Sequence, residues 1–222
     1  MSRSISIIMK KIFVLLFGVG LLMQSCGSLL APSYMASYSV GLSSVESPAD
    51  AKQQFGETKV VSFTDEKGID KYRYEDDYIE VIWYVSAKQF NFDLKNKSGH
   101  TIKINWDDIS YVDVTGKAGR VMHAGVKYAE KNSSQPSTTI PKNATISDLL
   151  VPTDNIYYVS GTYGGWNEKN LIPSFYQSQE ALNENASKYV GQKMTILMPI
   201  LIENVQNDYT FEFNIDKLLN AK

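Results

Sequence analysis

Residues 79–85 read Ile-Glu-Val-Ile-Trp-Tyr-Val, so that Ile79, Val81 and Trp83 occupy every second position. Side chains along a strand point alternately to opposite faces, and this period therefore predicts a β-strand that is buried on one side. The same alternation of apolar residues recurs at residues 90–94, 102–106, 194–202 and 209–215. Repetition of this pattern predicts a mainly β protein.

Short polar or glycine-rich segments separate the predicted strands. These turn-forming stretches are residues 75–77, 96–99, 115–119 and 207–208. Such short connections favour antiparallel hairpins. Pro199 falls inside one of the predicted strands. Because proline cannot donate a backbone hydrogen bond to a sheet, it predicts an edge strand or a bulge at that position.

One short helix is predicted over residues 178–190. Ser178 is suited to cap its first turn, and Gly191 can end it in the left-handed conformation. The residues expected to face the sheet are Leu182, Ala186, Tyr189 and Val190.

Many short strands with one small helix favour a two-layer antiparallel sandwich over residues 58–222. Three segments, residues 92–106, 140–146 and 189–213, give the stretch 90–216 a resemblance to the immunoglobulin-like domains of bacterial envelope lipoproteins. The resemblance implies an antiparallel immunoglobulin-like β-sandwich. It implies no particular activity, because sandwiches serve many functions.

The N-terminus has the composition of a secretion signal. Basic residues without any acid precede an apolar run over residues 12–22, and small residues follow around Cys26, the only cysteine of the chain. The run is shorter than the roughly 20 apolar residues that a transmembrane helix needs. Residues 1–25 are therefore predicted to be a signal peptide that is removed, with Met9 as an alternative to Met1 as its start.

The residues around Cys26 resemble the lipobox of bacterial lipoproteins, with Met23 and Gln24 as in the relaxed boxes of Bacteroidota. The resemblance implies that the Cys26 thiol takes a diacylglycerol and that the new amine is acylated after cleavage. Each buried CH₂ contributes about 0.8 kcal/mol, so two or three acyl chains anchor a protein stably to a bilayer. An ordinary secretory signal that leaves Cys26 as a free thiol is the other interpretation.

Residues 26–57 are predicted to be the lipidated cysteine and a flexible tether, because serines, Pro32 and Gly41 interrupt apolar residues without a clear period. Packing of their tyrosines and methionine on a partner is the other interpretation. Gly27 is not the aspartate that retains enteric lipoproteins in the inner membrane, and no acidic cluster follows Cys26. The resemblance thus implies an outer-membrane location with the domain facing the periplasm.

The charge of the chain argues against a nucleic-acid partner. The first 25 residues hold three of the 22 basic residues and none of the 24 acidic ones, which leaves 19 against 24 and a net charge of −5. No basic patch is available to neutralise phosphates. A single cysteine also provides no disulfide framework, so the fold depends on its hydrophobic core.

The titratable residues show no catalytic or metal-binding motif. His100 follows a Ser-Gly turn and His123 is expected on the polar face of a strand, and neither belongs to a zinc or triad signature. The acidic pairs lack the spacing of a calcium loop and are expected to be solvated turns. We therefore expect no enzymatic activity, no metal and no cofactor. A hydrolase whose carboxylates converge across the sheets is the alternative from another class.

An aromatic segment at residues 157–176 surrounds the glycine-rich stretch 160–166. Its glycines lack the Gly-Lys-Ser/Thr ending of a phosphate loop, so a flexible loop or a binding loop is expected. Tyr163 and Trp166 are the residues predicted to be exposed and to contact a ligand or partner. The sequence thus predicts a membrane-anchored, non-enzymatic lipoprotein that is a binding or structural component of the bacterial cell envelope. Glycan binding through the aromatic segment 157–176 is the alternative.

Overall fold

The structure is a computed structural model, and it describes residues 34–47 and 60–221. These residues form fifteen strands and one short α-helix, α1 (Gln179–Asn185). The strands are β1 (Tyr34–Glu46), β2 (Val61–Thr64), β3 (Asp70–Glu75), β4 (Ile79–Val85), β5 (Phe90–Asn96), β6 (Ile102–Ile104), β7 (Ser110–Val112), β8 (Ala118–His123), β9 (Thr138–Ile140), β10 (Thr145–Pro152), β11 (Ile156–Val159), β12 (Gly165–Glu168), β13 (Phe175–Tyr176), β14 (Lys193–Ile202) and β15 (Val205–Ala221). Short 3-10 turns lie at Trp106–Asp108, Tyr128–Glu130, Thr153–Asn155 and Ala186–Tyr189.

Thirteen of the described strands form one antiparallel sheet, in the order β13-β1-β15-β14-β7-β8-β10-β5-β4-β3-β2, and β6 and β9 extend from β14. The sheet curls so that side chains of β4 contact those of β15. The ring centroid of Trp83 lies 5.0 Å from that of Phe211 and 5.4 Å from that of Phe213. The mainly β, antiparallel architecture with one short helix is therefore confirmed.

The period of two in the sequence predicts the core correctly. In β4 the side chains of Ile79, Val81 and Trp83 are buried, whereas the residues between them are partly exposed. All five residues of the predicted apolar face of β14 are buried, as are all four of β15, namely Met194, Ile196, Met198, Ile200, Ile202, Tyr209, Phe211, Phe213 and Ile215. One face of each strand thus supplies the centre of the molecule.

Pro199 lies in a central strand, not at an edge. On one side it is opposite Asp208 of β15, and on the other side the partner of β14 changes. Residues 195–197 pair with β7 and residues 200–202 pair with β6, so the proline sits at the break between these two partners. A missing backbone donor is tolerated there because no ladder runs continuously past it.

The turn between β14 and β15 is not at residues 207–208, where the turn-forming pair Asn-Asp predicts it. Asn207 and Asp208 are within β15, and the two-residue turn consists of Glu203 and Asn204 with φ of 49° and 67°. Positive φ at both central residues is typical of the tight turns that match the twist of a hairpin. Glutamate rarely adopts this conformation, so the sequence does not indicate a turn at Glu203.

The predicted helix is present with both of its end signals. The hydroxyl of Ser178 accepts a hydrogen bond from the backbone N–H of Ala181 at 3.1 Å, and Gly191 has a φ of 84°. The α-helix ends at Asn185 and continues as a 3-10 turn. Leu182 and Ala186 are buried and Tyr189 is partly buried, as predicted. Val190 is exposed, so the prediction that it faces the sheet was wrong.

The prediction of a flexible tether over residues 26–57 is wrong for Tyr34–Glu46. This segment is β1, which pairs with β15 along most of its length and with β13 at its start. Three register shifts interrupt the β1–β15 pairing, and they break the period of two that marks a strand in the sequence. The tyrosines of this segment pack on Leu182 of helix α1 and on Ala186 of the 3-10 turn that follows it. Residues 26–33 and 48–57 are outside the described residues.

Gly41 of β1 lies where two side chains from other strands approach the backbone closely. A Cβ atom there would lie 2.7 Å from the carboxylate Oδ2 of Asp216 and 3.1 Å from the hydroxyl oxygen of Tyr72. Because Gly41 has no side chain, these groups approach the strand without having to move aside. The residue that suggests a linker in the sequence is thus a packing residue of the sheet.

Candidate binding surface on an aromatic hairpin

Strands β11 and β12 form a separate two-stranded hairpin, here called the aromatic hairpin, joined by residues 160–164. Tyr158 lies directly opposite Trp166 in the register. The two rings meet edge to face with their centroids 5.4 Å apart. Both side chains remain exposed, Trp166 to 42 %. A cross-strand pair of exposed aromatic rings therefore forms the outer surface of this hairpin.

A third ring comes from another part of the chain. Tyr128, in the 3-10 turn after β8, meets the ring of Trp166 edge to face with centroids 6.3 Å apart. Its hydroxyl donates a hydrogen bond to the carboxylate of Glu168 in β12. No pattern in the sequence points to Tyr128, because the residue is distant in the chain from the aromatic hairpin. Only the fold brings it to the aromatic hairpin.

The aromatic hairpin is attached to the body by its first residue and by one lysine. Ile156 is buried against Met122 and Val151 in a small secondary core. The ammonium group of Lys131 donates hydrogen bonds to the backbone carbonyls of Thr153 and Ile156. These contacts fix the base of the hairpin and leave its tip available to solvent.

The connection at the tip is a tight turn and not the long flexible loop that was one of the two interpretations. The backbone N–H of Gly164 donates to the carbonyl of Gly161 at 2.9 Å. A Cβ atom on Gly164 would lie 2.2 Å from the carbonyl oxygen of Val159, so that position requires glycine. Tyr163 projects from this turn and is fully exposed.

The predicted exposure of Tyr163 and Trp166 is confirmed, and their role in binding stays a prediction. The other aromatic residues of segment 157–176 divide into two groups. Tyr157 and Tyr158 belong to the aromatic hairpin, whereas Phe175 and Tyr176 pair with β1 at a different edge of the molecule. Cys26, the predicted lipidation site, is outside the described residues.

The two histidines have different environments. His100 is exposed and its Nδ1 lies 2.8 Å from the carboxylate of Glu203. His123 is mostly buried, with Nδ1 3.2 Å from Asp148, whose other carboxylate oxygen accepts hydrogen bonds from the backbone N–H groups of Ala124 and Leu149. His123 therefore links β8 to β10, and its side chain is mostly buried against Asp148 although it was expected on the polar face of a strand.

Asp107 holds the segment that precedes β9 against the body. It accepts hydrogen bonds from the hydroxyl of Ser134, from the backbone N–H of Gln135 and from the guanidinium of Arg120. These donors, the Ser134 hydroxyl first, lower the pKa of Asp107 below its usual value. The side-chain amide of Gln135 in turn donates to the carbonyl of Val121 at 2.8 Å and accepts from the backbone N–H of His123 at 3.1 Å. This carboxylate is thus structural.

A surface cavity of about 180 Å³ lies between the first half of β1 and the turn that joins β4 to β5. Its lining is mostly apolar and contains no carboxylate: Met35, Ala36, Ser37, Tyr38, Val40, Val85, Ser86, Ala87, Asn170, Leu171, Ile172, Ser174 and Met194.

Within residues 34–47 and 60–221, no three His, Cys, Asp or Glu side chains converge as metal ligands. In the same part of the chain, no helix is long and apolar enough to span a bilayer.

Comparison with known proteins adds no relationship. No protein-family model, no curated protein and no solved structure gives a significant match to this chain.

Proposed function

We propose that this protein is a lipid-anchored, non-enzymatic binding component of the bacterial cell envelope, and that it contacts another envelope protein through the aromatic hairpin. The anchor is Cys26, acylated after removal of residues 1–25, on the periplasmic face of the outer membrane. The observation that carries the binding role is the exposed pair of Tyr158 and Trp166. Fixed aromatic rings lose little conformational entropy on binding, which is why they are common in recognition surfaces.

The proposal also covers how the strands are arranged in layers. We propose that the curled sheet is an immunoglobulin-like β-sandwich, with β1, β14 and β15 in one layer and β3, β4 and β5 in the other. The contacts of Trp83 with Phe211 and Phe213 support this arrangement, because they join β4 to β15 across the core. An experimental structure whose layers do not divide in this way would contradict it.

The membrane anchor is tested by mass spectrometry of the mature N-terminus. We expect a chain that begins at Cys26 and carries a diacylglyceryl group and an amide-linked acyl chain. A Cys26→Ala variant should not be acylated or float with membranes. An unmodified thiol, or cleavage at another bond, would overturn the anchored function and leave the aromatic hairpin unaffected.

The binding surface is tested by photo-crosslinking in the native cell. A photoreactive amino acid replaces Tyr163 at the tip of the aromatic hairpin, and a matched control replaces Phe63, an exposed aromatic residue on the edge strand β2. We expect one envelope protein to be crosslinked from position 163 and not from position 63, and Trp166→Ala to remove that product. Crosslinks from position 63 alone would instead assign recognition to the edge strand.

Glycan binding is the second candidate, and the exposed aromatic rings with the Glu168 carboxylate beside them support it. Sugar rings stack their C–H groups on aromatic faces, and carboxylates accept hydrogen bonds from sugar hydroxyls. Affinity electrophoresis in gels containing envelope glycans separates the candidates. Retardation that Trp166→Ala abolishes would favour a glycan over a protein partner.

A further inference from the structure

Two exposed apolar side chains lie opposite each other where β1 begins. Met35 of β1 pairs with Phe175 of β13, and they are 44 % and 63 % exposed. Direct cross-strand partners place their side chains on the same face of a sheet. Leu219 is also exposed and lies near the end of β15, where Ala221 is opposite Ala36 of β1. These three residues, here called the anchor-proximal edge, expose apolar surface at one end of the molecule.

The apolar surface continues inward from this edge. Met35 is also part of the lining of the cavity of about 180 Å³, together with aliphatic side chains such as Val85 and Leu171. Scattered exposed apolar residues are ordinary on protein surfaces. A directly paired methionine and phenylalanine that adjoin an apolar cavity are a contiguous patch, which indicates an interaction site.

The length of chain between Cys26 and β1 identifies what this edge meets. Tyr34 follows Cys26 by eight residues, and a fully extended chain spans at most about 3.6 Å per residue, or roughly 29 Å in all. On the proposed function, on which this inference rests, Cys26 is held at the bilayer surface. The start of β1 therefore stays within roughly 29 Å of the bilayer surface, which keeps this edge within reach of the lipid headgroups.

We propose that the anchor-proximal edge inserts Met35 and Phe175 into the interfacial region of the bilayer that holds Cys26. Burial of apolar side chains at the headgroup boundary is favourable, although two or three of them bind weakly alone. The acyl anchor makes this contact effectively intramolecular, so a weak interaction suffices. The edge then sets the orientation of the domain on the membrane.

The test uses the mature, acylated full chain in phosphatidylcholine vesicles. Acylation blocks the only native thiol, so Phe175→Cys introduces one thiol that reacts with an environment-sensitive fluorophore. Val205→Cys is the matched control, because Val205 has the same exposed fraction, 63 %, and begins the strand that ends beside β1. Its strand has 17 residues, so roughly 50 Å of extended chain separates its two ends. Met35→Cys provides a second probe at the edge.

We expect fluorescence at positions 175 and 35 to shift to shorter wavelength in vesicles and to be quenched by spin-labelled phosphatidylcholine, with neither change at position 205. Equal responses at positions 175 and 205 would overturn the inference. A blue shift at position 175 without lipid quenching would also overturn the inference. It would indicate that residues 27–33 of the same chain, and not lipid, cover the anchor-proximal edge. Flotation and N-terminal mass spectrometry keep this outcome distinct from failure of the anchor itself, in which the protein would not float at all.

Discussion

The imidazole of His123 is stacked on the indole of Trp106, with ring centroids 4.1 Å apart and planes only 4° from parallel. The indole Nε1–H of Trp106 donates to the hydroxyl of Thr138 at 2.9 Å, and His123 contacts Asp148. The stacked pair thus joins β8, β9 and β10, because Trp106 hydrogen-bonds to β9 and His123 of β8 contacts β10. A histidine placed in this way contributes to packing, which accounts for its burial.

His123→Ala should lower the free energy of unfolding by about 1–3 kcal/mol, because it removes a ring stack and a hydrogen bond to Asp148. Chemical denaturation at neutral pH measures the change. The matched control is His100→Ala, whose side chain is exposed and should change stability by less than about 0.5 kcal/mol. Equal effects of the two substitutions would show that the stack on Trp106 contributes nothing.

Trp83→Phe and Trp106→Phe should differ, although both indoles are fully buried. The Nε1–H of Trp83 has no acceptor among the described residues, whereas that of Trp106 donates to Thr138. Both variants lose similar volume, but only Trp106→Phe also loses a hydrogen bond. We expect it to be less stable than Trp83→Phe by about 1 kcal/mol in urea unfolding. The reverse order would mean that the Trp83 indole has an acceptor in solution.

Asn96 should be among the least replaceable polar residues of the chain. Its buried side-chain amide donates to the carbonyls of His100, Ile140 and Pro141, and its oxygen accepts from the backbone N–H and hydroxyl of Ser98. Asn96→Ala removes all of these hydrogen bonds from a buried site and should cost about 3 kcal/mol, even though the carbonyl of Pro141 keeps the backbone N–H of Ala144 and the backbone N–H of Ser98 keeps the carbonyl of Tyr78.

Asn96→Asp tests the orientation of that amide. It places a carboxylate oxygen against three carbonyl oxygens and should be at least as destabilising as alanine at neutral pH. Thermal unfolding of both variants beside the wild type provides the measurement. A stable Asn96→Asp protein would contradict the assigned hydrogen bonds.

The lowered pKa of Asp107 predicts a pH dependence of stability. Its unfolded-state pKa is about 4, and its folded-state pKa is lower, so the stabilisation is present above about pH 4 and is lost as the pH falls through the folded value. Asp107→Asn should therefore be less stable than the wild type at pH 7, and the difference should shrink in acid. Unfolding curves at pH 7 and near pH 3 measure this effect.

Ser134→Ala tests the cause of the lowered pKa and keeps the Asp107 carboxylate. It removes the hydroxyl that contributes most to lowering the pKa of Asp107. NMR titration should find the pKa of this carboxyl higher in the variant than in the wild type. An Asp107→Asn protein that loses no stability at neutral pH would show instead that these hydrogen bonds are exchanged for water without net gain.

Alternation of apolar residues was sufficient to predict strands β4, β5, β14 and β15, because a period of two follows from local strand geometry. The helix was equally predictable, since Ser178 and Gly191 satisfy its ends through short-range interactions. β1 was not, because its register shifts depend on pairing with β15, far along the chain.

The same division holds at the candidate site. Exposure of Tyr163 could be expected from its glycine-rich neighbours, whereas the approach of Tyr128 to Trp166 could not, because it depends on where the turn after β8 packs. By itself the amino-acid sequence determined the local elements: which residues alternate, where turns break them and where a helix is capped. The tertiary structure decided which distant segments pair and which aromatic rings meet, because those contacts arise only when the curled sheet closes around its core.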